Sequence, residues 1–369
     1  MLLTYGVYYG MTLLSCVCAW FAQKNRGRDF QLGRRKLSQA TAWLILAALP
    51  MAFVSGFRWD VGVDSLNYFY VYSNILYGYN THVEIGFELL CRALLLITED
   101  VSLLFLVCAV ITTTLVIAAV RRGSSDYFLS VFLYIALGYF FYSMNSIRHY
   151  MALAIFLFAY RWLKEKKLLP YIAAVLAAAC FHKIALVALP LYFLLNIKWK
   201  PYWYAVFGGG LLAVSFFHRQ ILDFIYQFVF GFYQSIEAEY VSVSWFNIAV
   251  ALALSALVLY YRKKLLARGD LALMNAAWFG LLFFALCSWI PDYTRIGQYC
   301  LILLIFLVPE ILACEERPPV RRVYFVGILA GGLAFLAVMI WRAQNPNLAL
   351  APYQFLFTRD SYPLHRLWF

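Results

Sequence analysis

An all-α polytopic integral membrane protein is the fold class this sequence predicts, on three observations. Of 369 residues, 64% are hydrophobic and 13% are charged, and mean hydropathy is +0.75, far from the balance of a water-soluble domain. Apolar runs of roughly 18 to 20 residues recur between short polar connectors, the length at which a helix crosses about 30 Å of hydrocarbon. No segment alternates apolar and polar residues at every second position, so a transmembrane barrel does not fit.

The net charge of +12 lies in the connectors and does not form a nucleic-acid face. Lys and Arg gather at 24–36, 121–122, 161–167, 198–200, 262–268 and 317–322, which the positive-inside rule places in the cytoplasm. The first apolar run has no basic residue before it and no small-residue cleavage site, so it reads as a span and not as a removed signal peptide. Alternation then predicts spans at 3–22, 40–57, 101–120, 126–144, 147–163, 202–217, 245–261, 271–290, 296–313 and 323–341. Segment 168–196 has basic connectors at both ends, and is too long for one straight span and too short for two. It is either a re-entrant pair or two short helices, with His182 and Lys183 at the tip. The expectation is about 10–12 transmembrane helices, a single transmembrane domain over 1–369, and both termini on the outer side. No internal repeat is visible. Gly208, Gly209 and Gly210 suggest close helix packing. The eight Cys have no paired CxxC spacing and read as packing residues.

This topology sends a second set of ionisable residues to the outer side, in loops near 58–100 and 217–244. Glu84, Glu88 and Arg92 recur four apart in 81–98, which reads as an outer amphipathic or re-entrant helix. Segment 217–244, with His218, Asp223, Glu237 and Glu239, reads as a lid or an interfacial helix. Ionisable groups at membrane depth are costly unless paired or facing water, so their clustering marks a candidate site.

Arg58, Arg148 and Arg295 stand at outer span ends in separate parts of the chain. Guanidinium forks bond phosphate in a bidentate manner and stay charged, so three of them suit one anionic group such as a lipid diphosphate. The plainer alternative is that each snorkels or pairs with Asp60, Asp64 or Asp292. His182, beside Lys183, can take a hydroxyl proton near neutral pH, or it can simply donate to a carbonyl freed by the helix break. Asp60 and Asp64 flank Gly62, which permits a turn that aims both carboxylates one way. They make a weak metal signal, and pairing with Arg58 is the better reading. Trp59, Tyr68, Tyr72, Tyr142 and Tyr299 suit sugar faces or interfacial packing equally well. The chain has no Walker loop, dinucleotide fingerprint, HExxH or GxSxG, so an ATP-driven pump or a zinc protease does not fit.

Taken together, the motifs resemble the EpsG family, which groups with Wzy-like polysaccharide polymerases of O-antigen, capsule or exopolysaccharide. Residues 58–68 are similar to R-x-x-V-G-x-D-x-x-x-Y, NSIRHYMALAIF to N-x-x-R-x-x-x-A-x-A-I, and FHKIALVALPLYF to F-H-x-S-A-L-x-x-L-P-x-Y. Arg295 with Tyr299, and the late LAPYQF, resemble its final spans. Ile184 stands where the family often has Ser, so any hydroxyl that orients His182 must come from elsewhere. The resemblance implies transfer of a growing glycan from undecaprenyl diphosphate onto a lipid-linked repeat unit, at the outer face of the bacterial cytoplasmic (inner) membrane. It implies no metal and no cofactor, with chain-length regulators or export proteins as partners beside the lipid-linked oligosaccharide and the bilayer. On this reading the catalytic residues are His182, Asp64 and Arg148. Arg58, Asp60, Arg295, Glu84, Tyr68, Asn145, Lys183 and Tyr299 bind substrate. A lipid-linked oligosaccharide flippase and a membrane sugar acyltransferase are the rival readings.

Overall fold

The computed structural model describes residues 2–32, 35–218, 220, 245–288, 290, 292–344 and 348–359. In chain order the helices are α1 Leu2–Lys24, α2 Gln39–Gly56, α3 Ser65–Leu76, α4 Ile85–Leu95, α5 Ser102–Gly123 and α6 Tyr127–Ala136. They continue with α7 Tyr139–Asn145, α8 Ile147–Lys164, α9 Leu168–Ala179, α10 Ala188–Asn196, α11 Pro201–Phe216 and α12 Trp245–Tyr260. The last are α13 Arg262–Ala267, α14 Leu271–Leu286, α15 Tyr293–Leu301, α16 Leu304–Cys314 and α17 Pro318–Trp341. One antiparallel hairpin, β1 Asp29–Leu32 with β2 Arg35–Ser38, joins α1 to α2.

The chain is a multi-pass α-helical membrane protein. Among the described residues, five helical stretches are long and apolar enough to cross a bilayer: α1, α2, α5, Tyr293–Cys314 and α17. The pair α6 and α7, bent by 49°, makes a sixth, and Gly138 takes the positive φ of 84° at the bend. The sequence predicts ten to twelve crossings, and the difference lies in helices of other character. The apolar stretches Leu168–Ala179, Lys183–Asn196, Ile248–Tyr260 and Leu271–Leu286 are short, while α8 carries Arg148, Arg161 and Lys164. Segment 168–196 forms two short helices with a 3-10 turn at Lys183–Val187 between them. α4 falls inside the amphipathic stretch expected at 81–98, whereas α3 occupies residues read as loop. Most of the predicted lid at 217–244 lies outside the described residues.

Two ends of the bundle can be told apart by their bonds. At one end the basic connectors meet acids and carbonyls: Lys164 with Asp270 at 2.6 Å, Arg268 with Glu310 at 2.7 Å, and Arg262 donating to the Trp199 carbonyl at 3.1 Å. The other end holds the 57–64 turn, α3, α4, the start of α8, the 180–183 tip and the start of α15. The sorting of charges by connector therefore corresponds to a physical division of the bundle.

An extended segment, 348–359, ties the second end together. The backbone N–H of Trp59 donates to Gln354, that of Gly62 to Ala349, and that of Leu356 to Phe57, at 2.9, 2.7 and 2.8 Å. Tyr353 spans α1 and α2, its N–H on Thr4 Oγ1 at 2.9 Å and its hydroxyl on the Val54 carbonyl at 2.8 Å.

Gly62 is the tightest point of the 57–64 turn. Its φ is +100°, and an added Cβ would meet Asn145 Oδ1 at 2.5 Å and the Met144 carbonyl at 3.1 Å. Gly62→Ala is expected to cost about 1–3 kcal/mol of stability. Gly78, at φ +75° with nothing within 4 Å of such a Cβ, provides the control. Gly62→Ala should lower the melting temperature in detergent clearly more than Gly78→Ala; equal shifts would show that the Asn145 contact gives way freely.

Candidate functional site

The site is assembled from five parts of the chain that lie apart in sequence. Gly86 permits the first approach: its N–H donates to the Cys180 carbonyl at 2.8 Å, and an added Cβ would lie 2.7 Å from that oxygen. The start of α4 is thereby held against the end of α9, which places Glu84 beside the 182–183 tip. Glu84 accepts the Lys183 backbone N–H at 3.2 Å and lies 3.4 Å from His182 Nδ1. Its other carboxylate oxygen pairs with Arg148 Nη1, from the first turn of α8. One carboxylate thus holds a guanidinium and a backbone amide, and faces an imidazole nitrogen that, among the described residues, makes no hydrogen bond of its own. Burial alone would raise the Glu84 carboxyl, but its own N–H, Arg148, the Lys183 amide and His182 together hold it below the usual range.

These groups line a cavity of about 540 Å³. Asp64 and Tyr68 enter it from the start of α3, Asp292 and Arg295 from the start of α15, and Ser146, Arg148 and His149 from the α7–α8 junction. The Tyr68 hydroxyl accepts the Arg148 backbone N–H at 3.4 Å. His149 Nε2 meets Gln298 Oε1 at 2.8 Å, and its ring stands edge-on to His182 with centres 5.2 Å apart. Burial pushes the Asp64 carboxyl up, and the charges of Arg295 and Arg148 offset part of that rise.

The two guanidinium groups of the cavity are held differently. Arg295 pairs with Asp292 at 2.7 Å, with side chains 40% and 50% exposed, so water screens the pair and it contributes under about 1 kcal/mol. Arg148 and Glu84 are only 24% and 15% exposed. Arg295 can therefore leave its acid for an incoming anion at little cost, while Arg148 stays aimed by Glu84. Among the described residues, no three His, Cys, Asp or Glu side chains gather to hold a metal ion.

Comparison with known families matches residues 41–355 to the model described as the EpsG family. The chain belongs to the EpsG family. That membership implies a polysaccharide-polymerase type of enzyme. Neither the curated proteins nor the solved structures contain a match.

In this EpsG-family protein, Asp64, Tyr68, Glu84, Arg148, His182, Lys183 and Arg295 line one cavity. Four other residues expected in the site do not line it. Arg58 is 2% exposed and spends its donors on carbonyls: Nε on Val61 at 3.2 Å, Nη2 on Met144 at 2.9 Å, and Nη1 on Ser55. Its guanidinium stacks on Phe105, 4.7 Å from the ring centre. It closes the C-terminal end of α2 and binds it to α7, so it is a buried clamp and does not reach the cavity. Asn145 takes the Val63 N–H at 3.0 Å and donates to the Leu348 carbonyl at 3.2 Å, bracing the same turn. Asp60 is buried in a left-handed backbone conformation, φ 49°. Tyr299 is buried beneath His149, ring centres 5.8 Å apart. Asp292, named from sequence as an alternative partner for an arginine, pairs with Arg295 and lines the cavity; His149, Asn67, His82 and Ser146, to which the sequence reading assigns no role, line it too. Their signal was adjacency to Arg148, Asp64 and Glu84.

Proposed function

We propose that this EpsG-family protein transfers a growing glycan from an undecaprenyl diphosphate carrier to a hydroxyl of another lipid-linked repeat unit, at the outer face of the bacterial cytoplasmic membrane. The observation that carries this reading is the joining of Arg148, Arg295, His182 and Asp64 in one cavity, at the bundle end away from the basic connectors. The bond between the anomeric carbon and the diphosphate oxygen breaks, and a bond from that carbon to the acceptor oxygen forms. The acceptor proton passes to His182, and the diphosphate leaves with the electron pair. Arg148 and Arg295 meet the charge that grows on the diphosphate, where fixed donors act most strongly. Glu84 faces His182 Nδ1 at 3.4 Å, so its charge favours the proton on that nitrogen and leaves Nε2 to take the acceptor's, and it aims Arg148 as well. Asp64, between the two arginines, binds sugar hydroxyls.

Two measurements test this. Purified protein given labelled lipid-diphosphate repeat units should yield longer glycan without a second protein; lipid movement with no longer product would instead mean a flippase. The pH dependence separates the two candidate bases. A base works only when unprotonated, so turnover falls as pH drops through its pKa. With His182 as base the limb lies below the ordinary imidazole value of 6.5, because burial lowers His182 and Glu84 offsets only part of that, disappears in His182→Gln along with about 10²–10⁴-fold of the rate, and stays put in Asp64→Asn. A limb in the acid range, above the ordinary carboxyl value of 3.8 because burial raises Asp64, and removed by Asp64→Asn, would transfer the role to Asp64.

A further inference from the structure

Two guanidinium groups share one aromatic ring at the bundle end opposite the cavity. Arg122, in the last turn of α5, lies 4.5 Å from the centre of the Phe158 ring. Arg161, in the last turn of α8, lies 5.3 Å from the same centre and 4.3 Å from that of Trp162. Arg121 adjoins them, and its charge and that of Arg161 both reach Arg122. Ring faces attract each cation but do not neutralise it. Among the described residues none of the three arginines forms an ion pair, and Arg161 Nε is buried without a hydrogen-bond partner. Glu165 is within electrostatic reach of Arg161, yet its carboxylate closes on Lys167 at 2.8 Å. Other connector arginines do meet acids, Arg268 with Glu310 at 2.7 Å and Arg317 with Glu315 at 2.9 Å, while Arg262 gives a donor to the Trp199 carbonyl.

Like charges brought together and left without acids favour an anion. Guanidinium forks braced on rings are suited to phosphate oxygens. α5 is a 22-residue apolar helix of bilayer length, so its last turn stands at the level of lipid headgroups. We infer that Arg121, Arg122 and Arg161, braced by Phe158 and Trp162, form a binding site for the phosphate headgroup of an anionic phospholipid. The site is separate from the cavity and does not depend on the glycan-transfer reading.

Native mass spectrometry of the full-length protein, titrated with phosphatidylglycerol or phosphatidylcholine, tests it. Wild type should bind phosphatidylglycerol more tightly than phosphatidylcholine. Arg122→Gln with Arg161→Gln should bind phosphatidylglycerol about 30-fold more weakly, with phosphatidylcholine binding unchanged. If that pair fails to insert, Arg122→Lys with Arg161→Lys keeps both charges, loses the forks, and should weaken binding roughly fivefold. Unchanged phosphatidylglycerol affinity in the variant that inserts would overturn the site. Full displacement of phosphatidylglycerol by inorganic phosphate would overturn the lipid assignment in favour of a soluble anion.

Discussion

Replacing Arg148 with Ala is expected to leave the protein in the membrane at wild-type amounts while glycan extension falls about 10²–10³-fold. Arg148 is the less exposed of the two cavity arginines and the one aimed by Glu84. Its loss removes a donor that acts as charge develops on the leaving diphosphate, and it also frees Glu84 from its main cationic partner. Stability changes little, because the side chain lies at the cavity wall and its backbone N–H still reaches Tyr68. Arg148→Lys keeps the charge without the planar fork and should fall between the two. Product length on a gel, read against a quantitative membrane blot, checks this. Wild-type polymer length in Arg148→Ala would remove Arg148 from the diphosphate.

Arg58→Ala is expected to fail for a different reason. The side chain is buried, and truncation takes its donors from the carbonyls of Ser55 and Met144, leaves Val61 only the Ser65 hydroxyl and opens a gap against Phe105. Two buried carbonyls left unsatisfied beside such a gap cost about 3–5 kcal/mol, a large part of a typical folding free energy. The protein should accumulate poorly and melt early in detergent, and whatever folds should retain catalytic turnover per molecule. Full accumulation with lost turnover would return Arg58 to the site. The two arginine variants thus separate a folding defect from a chemical one.

The sequence made most of the helical plan legible, because span length and connector charge are local properties. The ends of α1, α2 and α5 lie within three residues of the spans that apolar run length predicts, and α17 ends at 341 as predicted but starts five residues earlier, at Pro318. The 168–196 hairpin was legible because two basic connectors force the chain back on itself. α3 was not: SLNYFYVYSNIL mixes aromatic and polar residues, and its first turn is fixed by the 57–64 turn and the 348–359 segment packed on it. In the site, Arg148, His182 and Arg295 could be grouped from their places at span ends. Separating Arg148 from Arg58 needed three-dimensional information. Both follow the same pattern of arginine at a helix boundary, but only packing shows that Arg58 faces the carbonyls of Ser55, Val61 and Met144. Glu84 was legible as an outer acid, though its place beside Arg148, His182 and Lys183 depends on the Gly86–Cys180 approach, which no spacing in the sequence encodes.

The central claim is that the cavity of Arg148, Glu84, His182 and Arg295 holds the lipid diphosphate. Photo-crosslinking of the purified protein with a diphosphate lipid analogue that carries its reactive group beside the phosphates tests this most directly. Peptide mapping should place the adducts within 64–84, 146–149, 182–184 and 292–295, and Arg148→Ala should lose them. Adducts that map to the basic connectors, or that persist unchanged in Arg148→Ala, would contradict it.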